Sequence, residues 1–246
     1  MTPGLAFFYG GLVRRKNVLN TMMSSLFIMG LSSALWILVG YSLSFSGDHG
    51  HIIGDFTNAF LRGIGMNDLS QYSETIPALV FVGFQMMFAI ITPALITGSV
   101  AGRMRFKALF IFILLWLFVV YYPLAHMVWG KGGFLGEVLG SVDFAGGNVV
   151  HISSGVSGLV LSLLLGSRRG YKKQAYATHN IPFIILGATI LWFGWFGFNA
   201  GSALAANGLA AHAFMTTGTS AAFALLSWMA VDVIVTGKPT VVGAST

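Results

Sequence analysis

Asp143 and His151 are the two residues best suited to chemistry, and they stand eight positions apart at the start of a long apolar segment. We predict that the Asp143 carboxylate caps a helix there, because it can accept hydrogen bonds from the free N–H groups of the first turn. His151 would then lie about 12 Å further along the helix axis. The apolar core of a bilayer is about 30 Å thick, so this histidine is expected near the middle of the membrane, facing the protein interior.

Small residues surround the histidine at helical spacing. Gly147, Gly155, Gly158 and Ser162 follow one another at three- or four-residue steps through His151 and share one helix face with it. Such a face lets a second helix approach closely. Two interpretations remain open at this point: the imidazole lines a path through the membrane, or it only bonds a neighbouring helix.

Aromatic rings and a hydroxyl form the second group of candidates. Phe84 and Phe88 share a helix face. Phe198 and Ser202 do the same, and Trp129 ends an apolar run. Aromatic faces attract desolvated cations, and a hydroxyl can accept an N–H hydrogen bond. These residues predict an outer site for a small nitrogenous cation. The alternatives are an aromatic belt at the membrane interface for Trp129 and ordinary packing for the phenylalanines.

No metal site and no cofactor are expected. The sequence has no cysteine, which excludes thiolate ligands, disulfides and cysteine nucleophiles. His49 and His51 have the spacing of metal ligands, but they lie in a polar loop without a fixed third ligand. No partner can be named from the sequence for His126, His179 or His212.

Composition predicts an all-α polytopic membrane protein. Hydrophobic residues make up 56% of the 246 residues and charged residues only 8%, with a mean hydropathy of +0.81, which a soluble domain of this size does not reach. The net charge of +6 fits the excess of basic residues in cytoplasmic loops rather than a nucleic-acid partner. The whole chain, residues 1–246, is expected to be a single transmembrane domain.

Apolar runs predict about six full spans in a helix bundle. They cover residues 19–45, 76–101, 106–129, 143–165, 181–204 and 209–235. The run at 3–12 is too short to cross a bilayer, and we interpret it as the tail of a helix whose start is missing rather than as an interfacial segment. Pro93 predicts a kink in the second span.

Basic residues predict the orientation in the membrane. All but two of the 13 Lys and Arg residues lie in alternate connections, which should be cytoplasmic. Arg62 and Lys131 are the exceptions, and their connections hold most of the acids. Trp129 and Asp143 are therefore expected at the outer face of a plasma or inner membrane. The predicted cytoplasmic residues are Arg14, Arg15, Lys16, Arg103, Arg105, Lys107, Arg168, Arg169, Lys172, Lys173 and Lys238.

Four stretches resemble one known family. They are DFAGGNVVHISSGVSGL at 143–159, FYGGLVRRKN at 8–17, PLAHMVWG at 123–130 and GWFGFNAGSA at 194–203. Each is similar to a stretch of the ammonium transporter family (Amt/Mep, related to Rh proteins), in the right order, and the resemblance covers essentially the whole chain. It implies a channel-like transporter, not an enzyme, with eleven spans. It also implies a homotrimer whose subunits each carry ammonium or methylammonium through a narrow apolar pore.

The resemblance also implies roles for the aromatic candidates. Trp129 and Ser202 would belong to the outer ammonium site, with Phe88 beside them. Phe88 and Phe198 would be the two stacked rings that gate the pore. Phe84 would line the outer vestibule.

For the central stretch, the resemblance implies one supporting and one pore residue. Asp143 would shape the outer site from behind without touching the cation, and His151 would be the first of two pore histidines that relay a proton. The sequence departs from the family at its ends, and we interpret it as a fragment. The second pore histidine belongs to the missing spans. The missing cytoplasmic tail is where a cytosolic regulator of the PII type would act.

Two other functions remain open at this stage. An ammonium sensor of the same family would carry a long cytoplasmic signalling domain. An intramembrane enzyme would need Asp143 and His151 in contact, but about 12 Å of helix separates them in the predicted arrangement.

Overall fold

The structure, a computed structural model, describes residues 1–168, 170–173 and 176–246. Within those residues the chain is helical, with isolated β-bridges in its loops and no β-strand. Six helices are long and apolar enough to cross a membrane, which confirms the predicted all-α membrane protein. Arg169, which we assigned to a cytoplasmic connection, lies outside the described residues.

The observed spans match the predicted ones in number and order. The α-helices are α1 (Thr2–Leu12), α2 (Val18–Leu35), α3 (Tyr41–Phe45), α4 (Ala78–Val100), α5 (Phe106–Trp116), α6 (Tyr122–Trp129), α7 (Ser153–Leu165), α8 (Ile181–Gly201), α9 (Gly208–Thr236) and α10 (Val241–Ser245). The spans are Arg15–Phe45, Ala78–Val100, Phe106–Val138, Gly147–Leu165, Ile181–Gly201 and Gly208–Thr236. The third differs most from prediction, because one more helical turn, Phe134–Val138, follows a break at Gly130.

π-Helical turns widen several of the spans. Trp36–Gly40 joins α2 to α3, Leu117–Tyr121 joins α5 to α6, and Gly147–Ile152 opens α7. Such turns are uncommon in helices and occur often at functional sites. The last of them holds His151, and α6 ends at Trp129. His151 therefore lies in a π-helical turn, and Trp129 lies at the end of a helix.

Residues 27–166 form one compact unit with an aromatic core. Its largest fully buried side chains include Trp36, Phe45, Phe81, Tyr121 and Tyr122. Within this unit α4 packs against α7, and α3 packs against α6. α4 carries Phe88 and continues through Pro93. These contacts fix three elements that carry candidate residues: α4, α6 and the segment leading into α7.

Residues 1–26 and 167–246 form a second unit, in which α1 packs along α8. Glycines allow this close approach: a Cβ added at Gly4 would lie 2.9 Å from the main-chain oxygen of Gly187. The oxygen of Gly11 accepts N–H bonds from His179 (3.0 Å) and Asn180 (3.1 Å). The short N-terminal run is thus a packed helix rather than an isolated interfacial segment.

Candidate functional site

Asp143 holds the start of the helix that carries His151. Its Oδ1 accepts the main-chain N–H groups of Gly146 (2.5 Å) and Gly147 (2.8 Å). Its Oδ2 accepts those of Asn148 (2.7 Å) and Val149 (3.0 Å). These are the N–H groups that a helix start leaves without a partner. The predicted capping is therefore confirmed, with four bonds to a single carboxylate.

The position of the cap differs from the prediction. Gly146 is the N-cap residue, with φ of +100°, a conformation that favours glycine, and the helix begins at Gly147. Residues 143–146 form a turn that brings the carboxylate back under the first helical turn. His151 consequently lies about 6 Å along the axis from the helix start. The predicted distance of about 12 Å was wrong because it counted the turn as helix.

The small-residue face is packed along part of its length. A Cβ added at Gly158 would lie 3.4 Å from the side chain of Ser99 on α4, whereas one at Gly155 would meet nothing within 4 Å. Beyond Gly158, the guanidinium of Arg103 donates to Ser162 Oγ at 3.3 Å. The side chain of His151 is exposed. Close helix contact therefore occurs at the end of this face that carries Gly158 and Ser162.

Phe84, Phe88 and Trp129 form one cluster, here termed the outer aromatic cluster. The ring centroids of Phe84 and Phe88 are 4.9 Å apart, and those of Phe88 and Trp129 are 5.5 Å apart at an interplanar angle of 81°. Phe88 is buried, while the other two rings are half-buried. The sequence analysis assigned these residues to one outer site, and the three rings lie together within residues 27–166.

The indole of Trp129 is fixed by the protein. Its Nε1–H donates to the main-chain oxygen of Asp143 at 2.9 Å. A tryptophan of an aromatic belt would direct this N–H to water or lipid headgroups. The bond instead leaves the indole face as the surface on which a cation could be held. It also connects the outer aromatic cluster to the residue that caps the His151 helix.

Phe198 and Ser202 lie in the unit formed by residues 1–26 and 167–246. Phe198 is buried near the end of α8, with its ring 6.3 Å from that of Trp195. The hydroxyl of Ser202 donates to the main-chain oxygen of Phe198 at 2.8 Å. The predicted shared face is confirmed. Because the hydroxyl proton is already used, the Ser202 oxygen is oriented to accept from an N–H donor.

Sequence reasoning missed a polar pair, His126 and Asp48, located one helical turn before Trp129. His126 is fully buried, and its Nε2 lies 3.0 Å from Oδ1 of Asp48. The same oxygen accepts the N–H of His51 at 2.9 Å. The hydrogen bond from His126, aided by that from His51, holds the pKa of the Asp48 carboxyl below its ordinary value. His126 and Asp48 are 78 positions apart, so their contact could not be predicted from spacing. The one signal in the sequence is that His126 lies three residues before Trp129 on the same helix.

His51, one of the two histidines with metal-ligand spacing, is bonded to the loop after Trp129. The Nδ1–H of His51 donates to the main-chain oxygen of Gly132 at 2.5 Å. Among the residues that the structure describes, no group of three or more His, Asp or Glu side chains is arranged to hold a metal ion.

Comparison with known proteins decides the family. The family model described as Ammonium Transporter Family matches residues 1–246. The chain belongs to the ammonium transporter family. An ammonium transporter of Bacillus subtilis is 51% identical over 244 residues, which cover 99% of this chain and 59% of that protein. The ammonium transporter Amt1 of Archaeoglobus fulgidus is 45% identical, over 97% of this chain and 58% of that protein.

Solved structures of the ammonium transporter family share the fold. The crystal structure of Saccharomyces cerevisiae Mep2 has a TM-score of 0.88 and 36% identity, over 99% of this chain and 55% of that one. A structure described as a sensor Amt protein has a TM-score of 0.87 and 26% identity, over 98% and 60%. The chain thus spans somewhat more than half the length of these family members. Membership places it among transporters rather than enzymes.

Proposed function

We propose that this chain forms part of a transporter that carries ammonium or methylammonium across a membrane. The observation that carries the proposal is the outer aromatic cluster, in which the indole N–H of Trp129 is bound to Asp143 and Phe88 packs edge-on to the indole. An aromatic face held in this way can bind a small desolvated cation, with up to about 2 kcal/mol from the cation–π contact. The 51% identity to a protein named as an ammonium transporter supports ammonium as that cation.

The family resemblance assigns Trp129 and Ser202 to the proposed outer site, together with Phe88, and assigns Phe84 to the vestibule. The tryptophan face attracts the positive charge, and the Ser202 oxygen accepts one N–H of the cation. The connections predicted to be outer hold five of the seven Asp and Glu residues, and Asp143 lies at the outer end of the span that follows. Their negative charge raises the local concentration of cations before binding.

Phe88 and Phe198 are the gate rings of the conduction path, and His151 is its proton relay. Loss of water at the rings favours the neutral form of the substrate, so ammonium releases a proton and ammonia proceeds. A neutral imidazole suits this step because one ring nitrogen can accept a proton while the other donates one. The family resemblance of the stretch 143–159 supports a pore-lining rather than a packing role for His151.

The assembly and orientation follow the family resemblance and the charge pattern. The protein is a homotrimer in a plasma or inner membrane, with a pore in each subunit and with the basic connections in the cytoplasm. The distribution of all but two of the 13 Lys and Arg residues supports this orientation. A cytosolic regulator of the PII type acts through the cytoplasmic tail of the family.

An ammonium sensor is the second candidate, and one observation favours it. The structure described as a sensor Amt protein matches 98% of this chain with a TM-score of 0.87. Its identity is only 26%, against 51% for the Bacillus subtilis transporter, so transport is the stronger proposal.

Recording of currents from the purified full-length gene product in liposomes tests the proposal. Pulses of ammonium should give a saturable current, and equal pulses of potassium should give none. Protein-free liposomes provide the background. A folded protein that binds ammonium without a current would support the sensor, and one that neither binds nor conducts would refute both functions.

A further inference from the structure

The imidazole of His126 faces two hydrogen-bond acceptors. Its Nδ1 lies 3.2 Å from the main-chain oxygen of Ser44, and its Nε2 lies 3.0 Å from Oδ1 of Asp48. A carbonyl oxygen cannot donate, so Nδ1 must carry a proton. Oδ1 already accepts the N–H of His51 at 2.9 Å, and a carboxylate accepts only. Both bonds of the imidazole are therefore made only when Nε2 also carries a proton.

The loop after Trp129 is shaped around this pair. A Cβ added at Gly130 would lie 2.6 Å from Nδ1 of His126. At Gly132, where φ is +84°, it would lie 3.1 Å from the Asp48 carboxylate. The oxygen of Gly132 accepts the Nδ1–H of His51 at 2.5 Å. The glycines thus allow the main chain to pack closely against both partners, although only the imidazole is fully buried and the carboxylate stays exposed.

We propose that the exposed carboxylate of Asp48 and the buried imidazole of His126 form an ion pair that positions Trp129 for cation binding. The proposal rests on the proposed outer ammonium site. His126 lies one helical turn before Trp129 on α6, and its main-chain oxygen accepts the N–H of Gly130 at 2.8 Å to close that helix. Asp48 lies in the connection that follows α3. The pair thereby ties the last turn of α6 to this connection, so the indole is held at its ring by Asp143 and at its backbone by the pair.

The protonation of His126 can be tested without transport. Full-length protein carrying ¹⁵N-labelled histidine, reconstituted in bilayers at neutral pH, should give one doubly protonated imidazole signal that disappears in His126→Gln. Asp48→Asn removes the carboxylate and should convert that signal to a neutral tautomer. Asp55→Asn is the matched control, because Asp55 is in the same connection and its carboxylate accepts hydrogen bonds from Thr57. A neutral His126 in the unmodified protein would overturn the ion pair.

The positioning role requires a separate kinetic result. Asp48→Asn should raise the KM for methylammonium about tenfold, within the roughly 30-fold that loss of a whole desolvated cation–π contact would cause. The maximal rate per folded trimer should stay within about twofold, because the pore itself is unchanged. Asp48→Glu keeps the charge but moves it by one methylene, so its KM should lie between those of the unmodified protein and Asp48→Asn. Asp55→Asn should leave KM unchanged.

The outcomes separate this proposal from the proposed function. If Asp48→Asn loses the charged signal but keeps its KM, the pair is only structural and the positioning role is wrong. If the unmodified protein shows the charged imidazole but no transport, the proposed function fails and the ion pair stands. If Asp48→Asn does not fold, Asp48→Glu alone decides, since an unchanged KM in that variant would also contradict positioning.

Discussion

Trp129 and Asp143 are joined by a 2.9 Å hydrogen bond from the indole N–H to the main-chain oxygen of the aspartate. The carboxylate of the same residue accepts the four N–H groups that open the His151 helix. One residue therefore fixes both the outer aromatic cluster and the start of the helix that carries the proposed proton relay. A substitution that disturbs the outer aromatic cluster should therefore also affect the start of the His151 helix, and a substitution at the helix start should affect the cluster.

The proposed outer site should lose affinity when its ring or hydroxyl is removed. Trp129→Leu should raise the KM for methylammonium by about 30-fold, because a desolvated cation–π contact is worth about 2 kcal/mol. Ser202→Ala should also raise the KM, because one hydrogen bond to the charged substrate is lost and water replaces only part of it. Uptake by proteoliposomes over a range of concentrations measures both. Phe193→Leu, at an 80% exposed position, is the control.

Removal of the Asp143 cap should cost more than removal of an ordinary cap. Asn180 caps α8 through a single bond to the N–H of Phe183 at 3.1 Å, and Asn180→Ala should destabilise the protein by about 1 kcal/mol. Asp143→Ala removes four bonds and should cost more than twice as much. Thermal unfolding of the detergent-solubilised protein gives the comparison. Equal losses would mean that the four bonds do not act together.

Stability should fall in acid partly through Asp48. The hydrogen bond from His126 holds the pKa of Asp48 below its ordinary value, so the folded state binds its proton less readily than the unfolded state. The stabilisation is fully present above about pH 4, the ordinary aspartate value, and is lost as pH falls through the lower folded pKa. Unfolding midpoints between pH 2 and 6 should show a shallower acid dependence in Asp48→Asn. An unchanged slope would contradict the depressed pKa.

Orientation can be tested with single cysteines, because the chain has none of its own. Ser70 is a poor position for labelling because it is buried, whereas Met66 and Val142 are 83% and 90% exposed. Cysteines at the two exposed positions should react with an impermeant reagent from outside. On the side predicted to be cytoplasmic, Gln174 lies outside the described residues. The third cysteine is therefore placed at Lys173, which is exposed. Labelling of that cysteine in intact cells would reverse the proposed orientation.

His151 should tolerate a carboxylate if it lines the pore. His151→Asp in the full-length gene product should remain trimeric by size exclusion but admit potassium, because a fixed negative charge favours whole cations over ammonia. His151→Ala should lower the ammonium current by removing the relay. Unchanged currents and selectivity in both variants would refute the relay. Loss of the trimer in both would instead favour a packing role, since a carboxyl without a partner is costly to bury.

The sequence predicted the spans and the residues of the outer cluster, because apolar runs and helical spacing are local properties. Phe84 and Phe88 share a face in any helix, and the structure adds only that the Trp129 ring completes the cluster. It did not predict the turn at Gly146, since a carboxylate at a helix start can act from the cap itself or from a preceding turn. It also missed the contact of His126 with Asp48, which depends on how the connection after α3 packs against the distant helix α6.

The capped start of the His151 helix has a consequence for which ions are admitted. Free N–H groups at a helix start carry a partial positive charge and commonly bind anions. Here the carboxylate of Asp143 takes the place of a bound anion. A cation on the indole of Trp129 would lie near Asp143, because the indole N–H donates to the main-chain oxygen of that residue. In the proposed transporter, an ammonium ion at the outer site would therefore not be repelled by the helix end, and a chloride ion would find the N–H groups of residues 146–149 already bound to Asp143. Discrimination by charge sign would thus begin at this carboxylate, before an ion reaches the proposed gate.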